Sequence, residues 1–166
     1  MNKVLGIAGF KNTGKTTLVE KLVAELTRRG YRISTVKHAH HSVELDHEGR
    51  DSFRHKAAGA AEVAVISRLR WTIVHELRGN SEPTLEYILS KLDPCDLVLV
   101  EGYKHGKHNK IEVRNVGSDH PLLADEDPSV IAIAANGDVP KATIPVFPRD
   151  DINALATFIE RQVVLT

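Results

Sequence analysis

A single cysteine, a single tryptophan and a single methionine occur in 166 residues, and aromatic residues amount to 5%. Cys95 alone cannot close an internal disulfide, so the fold does not require an oxidising compartment, and a reducing one is expected. No apolar run approaches the ~20 residues that span a bilayer. The apolar stretch at residues 4–8 is too short for a signal peptide and is interrupted by glycine. These gaps point to a soluble, cytoplasmic chain with no membrane partner. A surplus of one charge is lacking too: Lys plus Arg number 22 and Asp plus Glu number 22. That balance exerts no general pull on nucleic acid, and no nucleic-acid partner is expected. What remains is ordinary globular composition, 42% apolar and 27% charged, with nine histidines as the excess. The length suits one domain over residues 1–166, large enough to bury roughly two-thirds of its unfolded surface.

Short apolar runs alternate with helical periodicity, the pattern of a parallel sheet with crossover helices. The first strand is read at residues 4–8. A helix follows over 15–29, with Leu18, Leu22, Val23 and Leu26 on one face and Gly30 as its stop. Further strands are read at 31–36, 62–67, 71–77, 97–100, 110–113, 130–134 and 144–147. Only Arg68, Leu69 and Arg70 separate two of these runs, too few for a crossover, which predicts an antiparallel pair. The run at 97–100 is the most apolar and is expected at the sheet centre; 110–113 is expected as a short extra strand. Pro145 and Pro148 assign 144–147 to a sheet edge. Helices are expected at about 50–59, ending at Gly59, at 82–91 with Pro83 in the first turn, and near the C-terminus behind a cap at Asp150 or Asp151. Residues 38–50, rich in histidine and acid, read as a polar loop.

The first strand leads into Gly9-Phe10-Lys11-Asn12-Thr13-Gly14-Lys15-Thr16-Thr17, which satisfies G-x-x-x-x-G-K-[ST] between a strand and a helix. Binding a polyanion needs backbone amides that converge on it. Glycine lets the chain curl that closely, and the helix N-terminus adds its positive dipole end. Gly9, Asn12, Thr13, Gly14 and Thr17 are therefore candidate phosphate-binding positions, with Lys11 adding charge. Lys15 is placed to reach the β and γ phosphates and Thr16 to ligate Mg²⁺. The acid beside that ion belongs at the end of a buried strand, which makes Glu101 the candidate. Its other reading is a strand-end carboxylate paired with a surface base. Asp96 stands at the wrong end of the same strand.

Four more segments sharpen the pattern: Thr35-Val36-Lys37-His38-Ala39-His40-His41, then Asp46 with Gly49-Arg50-Asp51-Ser52, Ala58-Gly59-Ala60, and Val100-Glu101-Gly102-Tyr103-Lys104. Together with the glycine-rich loop they resemble the MobB family of molybdopterin-guanine dinucleotide biosynthesis adapter proteins, in order and spacing over residues 3–135. The resemblance implies an α/β P-loop NTPase three-layer fold, a mostly parallel sheet with an antiparallel strand pair. It further implies GTP and Mg²⁺ as ligands, at most weak GTPase activity, a homodimer, and assistance to a MobA-type nucleotidyltransferase that attaches GMP to molybdopterin. Guanine reading departs from the usual signature of asparagine, lysine and a later aspartate. In Ala135-Asn136-Gly137-Asp138 the two polar residues stand one position too close, although Asp138 can still accept from the guanine N1 and N2 donors.

Lys37, His38, His40, His41 and Arg50 gather cations at the carboxyl end of a strand, the edge where open sheets bind ligands. One reading is a second anion site for a pterin phosphate, with molybdopterin or its guanine dinucleotide as the ligand that the resemblance implies. Another is a transition-metal site, with His38 and His40 two apart on extended chain and His47 or His55 completing it. A solvated polar loop is the third. Asp46 and Asp51 are candidate switch-like Mg²⁺ ligands, with Asp51 alternatively capping the helix at 50–59. Trp71 reads as core or dimer surface. The basic run at 104–110 lacks interleaved aromatics beyond Tyr103 and reads as a loop beside the nucleotide or a partner surface. Against the adapter stands a second class, an autonomous P-loop enzyme, either a small-molecule kinase or a metallochaperone GTPase. A kinase needs an arginine lid over the phosphates, and Arg50, Arg54, Arg68 and Arg70 are scattered; a metallochaperone needs more than Cys95 beside its histidines.

Overall fold

β1 (Val4–Ala8) is apolar on both faces, and the sheet buries it between two parallel neighbours, β5 (Leu97–Glu101) and β6 (Lys110–Arg114). The structure, a computed structural model, describes residues 2–39, 46–163 and 165. Two compact units divide the chain, one formed by residues 1–38 and 89–166 and the other by residues 39–88.

The first unit holds a six-stranded sheet in the order β2 (Ile33–Lys37), β5, β1, β6, β7 (Val130–Ala135), β8 (Val146–Pro148), with every neighbouring pair parallel. The register sets Ile7 opposite Glu101 and Ala8 opposite Glu112. Two buried carboxylates thereby flank the strand that enters the glycine-rich loop. The centre belongs to β1 and β6, with β5 next to them. The segment expected as an extra strand at 110–113 is thus an interior one, and the proline-flanked strand is at the edge as expected.

α1 (Lys15–Arg28) and α5 (Ile152–Val163) cover one face of this sheet. Leu18, Leu22 and Leu26 recur every fourth residue on α1 and interlock with Leu155, Ile159 and the strand residues Leu5, Ile7, Leu99 and Ile111. On β7, Ala132 and Ala134 join that core, while Ile133 and Ala135 point to the opposite face, into a cluster with Leu122. There α4 (Leu123–Glu126) forms a single turn. Its start is held by buried Glu112, which accepts from the amides of Leu123 at 3.0 Å and Ala124 at 3.3 Å. Arg29 closes the seam between α1 and α5 by donating to Glu25 at 2.8 Å and Glu160 at 2.7 Å. Hydrogen bonds from Arg28 and Arg29 hold the Glu25 carboxyl at about 2. Of the two acids proposed as the α5 cap, Asp151 performs it, accepting from the Ala154 amide at 3.0 Å. Asp150 pairs instead with Lys21 on α1 at 2.8 Å.

Lys110 is fully buried opposite Gly6. Its ammonium donates to Asp127 at 2.9 Å, to the Gly106 carbonyl and to the Ser129 hydroxyl. Burial alone would raise Asp127, but hydrogen bonds from Ser129 and Lys110 overcome it and hold that carboxyl at about 2. The last lysine of the basic run is therefore a core residue, not part of a surface patch.

The second unit carries α2 (Asp51–Ala57) and the antiparallel pair β3 (Glu62–Ile66) and β4 (Trp71–His75), with α3 (Leu85–Leu89) where the two chain ranges meet. α2 packs on β3, and Val63 is buried. In the hairpin register Ile66 faces Trp71 and Ala64 faces Ile73. On that face Ile66 is 80% exposed and Trp71 67%, an unusual state for large apolar side chains on a two-stranded ribbon, which is marginal on its own. Element ends shift as local bonds dictate: the Tyr31 amide closes the turn after α1 by donating to Leu26 O, so the second strand starts at Ile33. No helix among the described residues is long and apolar enough to cross a membrane.

Candidate nucleotide site

The loop after β1 owes its shape to backbone that few residues tolerate. Gly9 sits at φ +147°, and a Cβ there would lie 2.4 Å from the Val113 carbonyl oxygen, so only glycine turns this close to β6. Gly14, at φ +89°, starts α1 with no side chain capping it. The loop carbonyls are anchored in turn. Phe10 O accepts from Lys15 Nζ at 2.6 Å and from the Thr13 hydroxyl at 3.0 Å. Asn12 O accepts from Asn115 at 3.2 Å, and Thr13 O accepts from Arg149 at 2.7 Å. A trans peptide points its N–H opposite to its C=O. Holding the Asn12 and Thr13 carbonyls thus aims the Thr13 and Gly14 amides the other way, at the N-terminus of α1, where an anion would be held.

Beside those amides four predicted residues converge, Lys15, Thr16, Lys37 and Glu101. The Thr16 hydroxyl donates to Glu101 Oε1 at 2.7 Å, and Lys37 Nζ lies 3.4 Å from both oxygens. Glu101 is 9% exposed. Both readings of this acid meet here, since it closes a buried strand and also pairs with a base. Burial lowers the Lys15 ammonium below its ordinary value, the nearby Glu101 charge raises it, and Lys37 lowers it further. A hydroxyl and a carboxylate side by side are the hard oxygen donors that Mg²⁺ takes. The pair fits that ion: Thr16 and Glu101 would hold it, and it would supply charge neutralisation to phosphates.

The remaining predicted residues are dispersed. Lys11 and Thr17 are exposed on the loop and the first turn of α1. His38 continues β2, its amide donating to Glu101 O at 2.9 Å and its ring tilted against Tyr103 at 4.7 Å. Gly102 permits this approach, because a Cβ there would lie 2.9 Å from the His38 Cβ. His40 and His41 lie outside the described residues. Asp46 and Arg50 belong to the second unit: Asp46 accepts from the His47 amide at 3.0 Å, and Arg50 immediately precedes α2 in extended backbone. Asp51 is in the first turn of α2, 3.9 Å from Arg54, and is not its cap residue. Among the described residues no group of three or more His, Cys, Asp or Glu could hold a metal ion. Asp138 lines a cleft of about 760 Å³ at the carboxyl ends of β7 and β8, together with Asn136, Gly137, Arg149 and Asp150. The Asn136 Oδ1 accepts from the Val116 amide at 2.7 Å, and Asp150, which also lines the cleft, pairs with Lys21 at 2.8 Å; Asp138 is the second acid there.

Sequence reasoning missed Arg149, Asn115 and the stacking at Phe10. Arg149 Nη1 also donates to Asn115 Oδ1 at 2.8 Å. The Phe10 ring stacks on His120 at 3.8 Å, and Lys104 Nζ lies 4.7 Å from its centroid. One signal was available for Arg149: it directly follows a parallel strand, at the sheet edge where ligands bind.

A parallel sheet whose first strand ends in this loop, with a helix starting from its last glycine, defines an α/β fold of the P-loop type. Within that class the chain belongs to the MobB family: the model for "Molybdopterin guanine dinucleotide synthesis protein B" matches residues 4–136. It is 37% identical to the molybdopterin-guanine dinucleotide biosynthesis adapter protein of Escherichia coli K12, over 96% of this chain and 92% of that one. It is 41% identical to the Haemophilus influenzae protein of the same name, over 80% of this chain and 74% of the relative. The crystal structure of a molybdopterin-guanine biosynthesis protein B superposes with a TM-score of 0.75 at 24% identity, covering 97% of this chain and 99% of that one.

Proposed function

We propose that this protein is a GTP-binding adapter in molybdopterin-guanine dinucleotide biosynthesis, which presents nucleotide to a MobA-type nucleotidyltransferase as that partner attaches GMP to molybdopterin. Family membership supports the pathway. The nucleotide reading is carried by one observation, the anchored loop that aims its amides at a helix N-terminus beside Lys15 and the Thr16–Glu101 pair. In this reading Gly9, Asn12, Thr13, Gly14 and Lys15 hold the phosphates, and Thr16 and Glu101 hold Mg²⁺. Asp138 accepts from guanine in the adjoining cleft. Lys37 and His38 offer charge to a second ligand, molybdopterin or its guanine dinucleotide. Turnover is slow: Gly102 and Tyr103 follow Glu101, with no glutamine there to orient water, and unaided GTPases run near ~10⁻⁴–10⁻³ s⁻¹.

The exposed apolar face of the hairpin supports the homodimer. Ile66, Trp71 and Ile73 form it, and a second copy of the same ribbon can cover it with a self-complementary surface.

Calorimetric titration with GTP and ATP, with and without Mg²⁺, tests the nucleotide reading. Replacing Lys15 by alanine removes one charge-assisted contact, and GTP affinity is expected to fall about 10- to 100-fold. The Phe10 carbonyl keeps its bond from Thr13, so the variant stays folded. Unchanged GTP affinity in that folded variant rejects the assignment.

A further inference from the structure

Arg149 follows the edge strand β8, and its direction is fixed before its side chain does anything. Its amide continues the sheet ladder by donating to Ala135 O at 2.7 Å. The next residue, Asp150, is tied to Lys21 on α1. The guanidinium is thereby led under the glycine-rich loop, where Nη1 donates to Thr13 O at 2.7 Å and to Asn115 Oδ1 at 2.8 Å. Asn115 in turn donates to Asn12 O at 3.2 Å. Two consecutive loop carbonyls are thus held by one arginine–asparagine pair. The fit is close, since a Cβ on Gly14 would lie 3.2 Å from Nη1.

The same arginine faces a second environment. It lines the 760 Å³ cleft that contains Asn136, Gly137 and Asp138, and is the one cation among the described residues lining it. A guanidinium is planar, permanently charged and able to lie against an aromatic ring.

Resting on the nucleotide reading above, we propose that Arg149 is a positioning residue that couples the base cleft to the phosphate loop. One guanidinium holds the loop carbonyl outward, so that the amides stay aimed inward, and provides a wall against which the purine lies. The base and the phosphates then report on each other through a single side chain.

The test compares GTP with inorganic tripolyphosphate, which fills the loop but has no base, by calorimetry on the full chain with its melting temperature as the fold control. In the parent, GTP binds more tightly than tripolyphosphate. Arg149→Ala is expected to weaken GTP about 10- to 100-fold, as for loss of one charge-assisted contact, and tripolyphosphate by less, so that the ratio of the two affinities shrinks. Arg149→Lys restores a cation to Thr13 O but no plane; it is expected to recover tripolyphosphate binding while the ratio stays low. If Arg149→Ala does not fold, the lysine variant alone decides: a parental ratio overturns the coupling. Equal losses for both ligands in Arg149→Ala also overturn it, leaving only a prop for the loop. A parent that binds neither ligand removes the nucleotide reading and this inference with it. A parent that binds both, with an alanine variant that matches it, removes the inference alone.

Discussion

Replacing Glu101 by glutamine keeps the shape of the side chain and one acceptor oxygen, removes the charge and turns the other oxygen into an NH2 donor. The carboxylate accepts from Thr16 at 2.7 Å and pairs with Lys37 at 3.4 Å. The first is a hydrogen bond to a charged group, worth about 1.5–3 kcal/mol. The second involves a lysine whose side chain is 58% exposed, and water screening leaves it at about 1 kcal/mol or less. For nucleotide binding the two conditions move in opposite directions. With Mg²⁺ present, one anionic ligand of the ion is gone, and affinity is expected to fall about 10- to 100-fold, one charge-assisted contact. With the ion chelated, a negative charge beside the phosphates is gone while Lys15 and Lys37 remain, and affinity is expected to rise. The assay is calorimetric titration of GTP in Mg²⁺ and in chelator, for parent and variant. A variant that keeps the parental Mg²⁺ enhancement refutes the placement of Glu101 in the metal site.

Further outcomes follow from the packing. Leu22→Ala cuts into the α1–α5–sheet core, where Leu22 is fully buried, and chemical denaturation should show a loss of about 2–5 kcal/mol. Asp127 has a folded value of about 2 against an ordinary 3.8; the stability it contributes is complete above pH 3.8 and is lost as pH falls through 2. Asp127→Asn should therefore show a shallower decline than the parent between those limits in acid denaturation. Changing Ile66 and Trp71 together to lysine should give a monomer by sedimentation, because both residues lie on the exposed apolar face of the hairpin.

What could be read in the sequence was whatever short-range spacing determines. The glycine-rich loop and the helix after it are contiguous, and Leu18, Leu22 and Leu26 recur at helical period, so both were visible. Glu101 was visible because the acid beside a P-loop Mg²⁺ belongs at the end of a buried strand, and the apolar run at 97–100 leads straight into it. Arg149 was not, because its meaning depends on a carbonyl 136 residues away. Lys110 was misplaced for a related reason: in sequence it ends a basic run, and only the fold brings Asp127 and Ser129 to it. α4 escaped notice because its start is held by an acid on another strand rather than by a cap of its own. The short helix α3 fell inside the wider span expected at 82–91, since Pro83 marks where a helix can begin but not where hydrogen bonding does.

The proline-bounded edge strand has a consequence for how this protein behaves when concentrated. A parallel sheet with a bare rim invites another molecule's strand, and each addition exposes a fresh rim, so the process lengthens into filaments without a natural end. Along the outer side of β8 the ladder lacks a rung at Pro148, which has no amide hydrogen to give, while Pro145 turns inward and its carbonyl accepts from the Ile133 amide at 2.9 Å. An incoming strand meets a short, interrupted template there and gains too few bonds to stay. Polymerisation from that side is opposed by the shortness of the strand and by a proline built into its open rim.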